Sequence, residues 1–86
     1  MYRISFKPSF LRQIKHLDEK VLSGVLRKIE LLKEKDNHQY LKVHKLHGIL
    51  SNCYSFSINY SIRVIFRFEF KKEIVLLYIG NHDIYK

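Results

Sequence analysis

The spacing of the apolar residues changes midway along this chain, and that change limits what it can fold into. Phe10, Leu11, Ile14 and Leu17, and then Val21, Leu22, Val25, Leu26, Ile29 and Leu32, recur every third or fourth position. That is the period of a helix with one apolar face. From residue 53 onward the period is two. Tyr54, Phe56, Ile58 and Tyr60 alternate with Ser55, Ser57 and Asn59. Ile62, Val64, Phe66 and Phe68 alternate with Arg63, Ile65 and Arg67. These are half-buried strands. The run EIVLLYI at 73–79 is apolar on both faces, as in a strand covered on both sides.

Local signals punctuate these segments. Residues 2–6, YRISF, alternate as an opening strand, with Tyr2, Ile4 and Phe6 on one side and Arg3 and Ser5 on the other. Pro8 ends that strand and suits the first turn of a helix. Asp18 can cap a second helix, its carboxylate accepting from orphan backbone N–H groups. Lys20, Arg27, Lys28 and Lys35 fall largely off the apolar stripe of that helix. Gly24 lies inside it, at a cost of about 1 kcal/mol relative to Ala. We read it as a close-packing point between the helices, with a tolerated imperfection as the alternative. Residues 36–52 carry no regular pattern. The short links near Asn59 and Lys71 predict antiparallel hairpins.

The expected fold is therefore α+β: an N-terminal strand, a two-helix hairpin, then three antiparallel strands. The helices pack on one face of a roughly four-stranded antiparallel sheet. At 86 residues there is room for a single domain, 1–86, with one core. The uncovered face should show Arg3, Ser5, Ser55, Ser57, Arg63 and Arg67, a basic surface with almost no acid on it.

Charge points toward the partner. Sixteen Lys and Arg face eight Asp and Glu, a formal net charge of +8. Such a field attracts polyanions, either nucleic acid or an acidic protein segment; the plain alternative is a solvated surface. Cys53 is the single cysteine, so an internal disulfide is excluded, which fits a reducing, cytoplasmic setting. The beginning of the chain has no signal-peptide pattern, and no stretch approaches the roughly 20 apolar residues of a membrane helix.

Four clusters carry potential chemistry: His44, Lys45 and His47 before Gly48; Arg63 with Arg67; His82 beside Asp83; and Tyr85 with Lys86. Cleaving an RNA phosphodiester needs a base for the 2′-OH, a cation for the crowded phosphorane-like state, and an acid for the leaving 5′ oxygen. His, Lys and Tyr can move the protons, and Arg can clamp phosphate oxygens in bidentate fashion. Every one of these residues also has a plain reading as a solvated or packed side chain. His16 and His38 are expected at the surface and Cys53 in a buried strand. His44, His47 and His82 could in principle hold a metal, but neither a metal nor another cofactor is expected.

The segments KPSFLRQIKHLD, VLSGVLRKIELLKE, KLHG, CYSFSINYSIRVIFRF and VLLYIGNHDIYK, taken in order, resemble the RelE/ParE toxin superfamily along nearly the whole chain. Two motifs carry the likeness: the strand Arg before an apolar triplet, IRVIF, and the closing IG-x-H-x-x-Y, here Ile79, Gly80, His82 and Tyr85. The resemblance implies helices on one face of an antiparallel sheet and an active groove on the other. It implies a toxin neutralised by a cognate antitoxin, cutting mRNA without a metal, often on the ribosome. Carried over by motif, Arg63 contacts the scissile phosphate, and His82 and Tyr85 take the C-terminal acid–base and stacking positions. His47 is the first candidate for the general base and Lys45 the second. Lys45, His44, Arg67, Arg3 and Lys86 would bind RNA.

Two other functions remain open at this point. ParE-like members poison DNA gyrase without cutting RNA, although they tend to lack the C-terminal His and Tyr. A decayed toxin would only bind its antitoxin and DNA as a repression partner.

Overall fold

The computed structural model describes residues 1–81. The elements run β1 (Arg3–Phe6), α1 (Pro8–Ile14), α2 (Glu19–Leu32), α3 (Asn37–Tyr40), β2 (His44–Lys45), a 3₁₀ turn (Gly48–Leu50), β3 (Tyr54–Ser57), β4 (Arg63–Glu69) and β5 (Glu73–Gly80). The α+β class holds, with the main helices on one face of a sheet. The sheet itself differs from the expectation in two ways. It has five strands, in the order β1-β5-β4-β3-β2, and β1 runs parallel to β5. The hairpins β3–β4 and β4–β5 are antiparallel, as their short links require. Residues 36–52 are not irregular throughout, since α3, β2 and the 3₁₀ turn lie within them.

The two longer helices start where the sequence marks them. Pro8 opens α1, and the Asp18 carboxylate accepts from the backbone N–H of Val21 at 2.8 Å to cap α2. Phe10, Val25, Ile29 and Leu32 turn fully inward onto Phe56, Val64, Phe66, Ile74, Leu76 and Ile79, forming the main core. Full burial of one such side chain contributes about 1.5–3 kcal/mol. The stripe is narrower than the periodicity suggested, because Leu11 and Leu26 are largely exposed. Gly24 is not a close-packing point: a Cβ built there meets nothing within 4 Å. Lys28 does not simply point away. Its ammonium donates to the carbonyls of Ser57 (3.1 Å) and Ile58 (2.9 Å), tying α2 to the end of β3. His38 is structural rather than superficial. Its Nε2 lies 2.7 Å from the Leu32 carbonyl, and its ring stacks on Tyr2. Cys53 is buried, just ahead of β3.

Two turns complete the meander. The Asn59 side chain accepts from the N–H groups of Ser61 and Ile62, both at 2.9 Å, closing the β3–β4 link. In the β4–β5 link, Lys71 (φ 57°) and Lys72 (φ 59°) both take left-handed backbone conformations that favour glycine or asparagine.

Strand β5 carries an irregularity. Ile65 pairs with Tyr78, but Phe66 pairs with Leu76, so Leu77 is an extra residue in the ladder. Beyond Leu76, β1 no longer pairs with β5, because Pro8 has turned the chain into α1. Two side chains one helical turn apart on α1 take over the freed backbone groups. Ser9 Oγ donates to the Leu77 carbonyl at 2.7 Å, and Gln13 Oε1 accepts from Ile79 N–H at 2.8 Å. Among the described residues no helix is long and apolar enough to cross a membrane.

Candidate active site

The face opposite the helices is not the open basic surface that alternation suggested. A second apolar cluster of Cys53, Ile65, Val75 and Leu77 occupies its centre, and Leu46 and Leu50 from the β2–β3 connection pack over it. Ser55, in register with Ile65, is completely buried there. The face also carries acid. Arg67 is paired with Glu69 at 2.8 Å, and Glu69 lies in register with Glu73, which faces Arg3 on β1. A half-exposed pair of this kind contributes little stability, about 0–1 kcal/mol, but it satisfies the Arg67 charge locally.

Arg63 occupies the other end. It lies in register with Ser57 on one side and Gly80 on the other. Ser57 Oγ accepts from its Nη1 at 2.9 Å. Gly80 puts no side chain opposite it, which leaves a notch between β3 and β5. The buried Nε–H meets no acceptor among the described residues. A buried N–H without a partner costs about 1–3 kcal/mol, more on a charged group, so the position favours a further acceptor. A phosphate, with several anionic oxygens, is the chemical complement of such a fork.

The other sequence candidates are spread around this notch. His44 pairs with Ser55, so it belongs to the same face as Arg63, one row along and two strands away; its Nδ1 lies 3.1 Å from the Lys42 carbonyl. Lys45 takes the register of Tyr54, whose ring belongs to the helix-side core. With Arg67 and Glu69 it lines a hollow of about 730 Å³ at the hairpin end of β4. His47 is exposed on the connection that carries Leu46 and Leu50. Arg3 is exposed on edge strand β1, at the end remote from Arg63. His82, Tyr85 and Lys86 lie outside the described residues. Among the described residues, the structure groups Arg63 with Ser57 and Gly80 and separates them from Arg67, Arg3 and Lys45. No three His, Cys, Asp or Glu side chains among the described residues are grouped as a metal site would need.

Tyr78 went unnoticed in the sequence. It is 41% exposed although it sits inside a strand whose neighbours Leu77 and Ile79 are buried. Its register with Ile65 puts it on the Arg63 face, one pair away from the notch. In the sequence it is one apolar residue within EIVLLYI, and nothing local marks the bulge that turns it outward.

No protein-family model and no curated protein matches the sequence. Solved structures do match in fold. The YoeB/ParE toxin from Agrobacterium tumefaciens superposes with a TM-score of 0.80 at 14% identity, over 93% of this chain and 98% of its own. A YoeB–YefM complex from Staphylococcus aureus gives 0.78 at 19% identity, over 95% and 98%. An archaeal RelE–RelB complex from Pyrococcus horikoshii gives 0.75 at 20% identity, over 93% of each chain. The chain thus has the fold of RelE- and YoeB-type toxins.

Proposed function

We propose that residues 1–86 form a single toxin domain of a type II toxin–antitoxin pair, acting in the cytoplasm as a metal-independent endoribonuclease on mRNA, in association with the ribosome. The observation that carries this reading is the Arg63 notch. A guanidinium fixed by Ser57, with its buried Nε–H unpartnered among the described residues, faces a glycine at the end of a rigid sheet. Two residues beyond that glycine the sequence reaches His82, and then Tyr85. Arg63 holds the scissile phosphate and stabilises the charge that builds on it as the 2′-OH attacks. His82 and Tyr85 supply proton transfer and stacking, and His47 or Lys45 takes the 2′-OH proton. A net charge of +8 speeds encounter with the polyanion. The same charge suits an acidic antitoxin segment that becomes ordered on binding, and two of the similar structures, RelE–RelB and YoeB–YefM, are themselves complexes.

The test is primer extension on mRNA from cells briefly expressing the chain, beside Arg63→Met and His82→Ala. Discrete new 5′ ends within coding regions are expected, reduced about a hundredfold or more in Arg63→Met, the scale of losing one transition-state donor. Growth arrest with uncut mRNA and poisoned gyrase would overturn the nuclease in favour of a gyrase inhibitor.

A further inference from the structure

We propose that Tyr78 is a stacking platform for the base of the nucleotide whose phosphate Arg63 holds; the proposal rests on the RNA-binding reading above. Arg63 pairs with Gly80, and Tyr78 precedes Gly80 by two residues on the same face. Diagonal neighbours of this kind lie roughly 7 Å apart between Cα atoms. That separation is on the scale of the distance between the phosphate and the base of one nucleotide. The Arg63 Nε–H is buried and without a partner among the described residues, and the neighbouring aromatic side chain of Tyr78 is 41% exposed in a strand whose adjoining residues are buried. A guanidinium fork next to an exposed aromatic ring suits a single-stranded nucleotide, whose phosphate and base it can engage together.

The fold holds this ring outward deliberately. With regular pairing, β5 would alternate through position 77, and residue 78 would face the helices. The extra residue at Leu77 puts Leu77 and Tyr78 on one side of the sheet, with Leu77 buried in the second cluster and Tyr78 beyond its edge. Bulges re-aim side chains in this way. Ser9 and Gln13 hold the displaced backbone through hydrogen bonds of 2.7 and 2.8 Å. Stacking depends on a π-face and tolerates any base, so Tyr78 would add affinity without reading sequence.

The experiment uses the full chain and a short single-stranded RNA with 2′-O-methyl riboses, which cannot undergo 2′-OH attack. One base is replaced by fluorescent 2-aminopurine, whose emission is quenched on stacking. Wild type, Tyr78→Phe, Tyr78→Leu, Tyr78→Ala and Arg63→Met are titrated, each first checked by its thermal melt. The expected result is quenched binding by wild type and Tyr78→Phe, and about tenfold or greater loss of affinity with loss of quench in Tyr78→Leu and Tyr78→Ala. Tyr78→Leu carries the comparison if Tyr78→Ala unfolds. If Tyr78→Leu binds and quenches like wild type while Arg63→Met does not bind, Tyr78 is not the platform and the RNA-binding reading stands. Failure of wild type to bind at all would overturn the platform, while the primer-extension test decides the nuclease reading separately.

Discussion

Replacing Gln13 with Met tests whether α1 holds the β5 bulge. The side chain keeps its length and its helix propensity but loses the amide oxygen that accepts from Ile79 N–H at 2.8 Å. Ile79 is almost completely buried, so its N–H has no ready access to water. An unmet buried donor costs about 1–3 kcal/mol. A domain of this length has a total stability on the order of 5–10 kcal/mol, so about 2 kcal/mol is a large fraction of it. With a shift of about 4–8 °C per kcal/mol for domains of this size, the midpoint should fall by roughly 10 °C. Thermal melts by circular dichroism, paired with urea unfolding, read this directly. Gln13→Glu is the control, because its carboxylate keeps an acceptor at the same reach and should stay within about 3 °C of wild type. A Gln13→Met protein that melts within about 2 °C of wild type would refute the reasoning: the Ile79 N–H would then be satisfied without α1.

Two further substitutions probe the backbone. Gly24→Ala should stabilise by about 0.5–1 kcal/mol, since the helix interior gains propensity and the added Cβ meets nothing within 4 Å; a rise in the urea midpoint checks it, and a fall would restore the close-packing role. Lys72→Gly should stabilise by about 0.5 kcal/mol, because relief of a φ of 59° outweighs the entropy glycine loses on folding; no change in the midpoint would mean that the hairpin carries no strain there.

Much of this architecture can be read from the residues themselves. The two periods locate α1, α2, β3, β4 and β5 because each is long enough to repeat its pattern, and Asp18 and Asn59 mark their boundaries through hydrogen bonds to their own neighbours. What escapes is non-local or too short. Strand β2 has only two residues, which cannot display alternation. The parallel pairing of β1 with β5 joins residues about 70 positions apart, and no local signal specifies it. Lys28 reads as a solvated cation because the sequence does not reveal that two carbonyls at the end of β3 await it. The bulge hides inside EIVLLYI, where an added apolar residue leaves the composition unchanged, and Tyr78 hides with it. Arg63 stands out through its place before VIF, but its grip on Ser57 follows only from the β3–β4 register.

The covering of the second face changes what the basic charge can do. In a bare sheet, Arg63 and Arg67 would lie four residues apart on one strand, roughly 13 Å, and one polyanion could lie across both. Here Ile65 lies between them, buried under Leu46 and Leu50, and Arg67 is taken up by Glu69. A chain of phosphates cannot reach the sheet through that apolar cap. The proposed recognition is therefore concentrated where β3, β4 and β5 present Ser57, Arg63, Gly80 and Tyr78 side by side. Three hydrogen-bonded strands fix those four positions relative to one another, and α1 fixes the bulge that sets the last of them. On the proposed reading the net charge acts at long range, in bringing a polyanion to the surface, while affinity and chemistry depend on Arg63 and its immediate neighbours. It follows that neutralising exposed lysines should slow association in a salt-dependent way, whereas changing Arg63 or Tyr78 should act on the bound state itself.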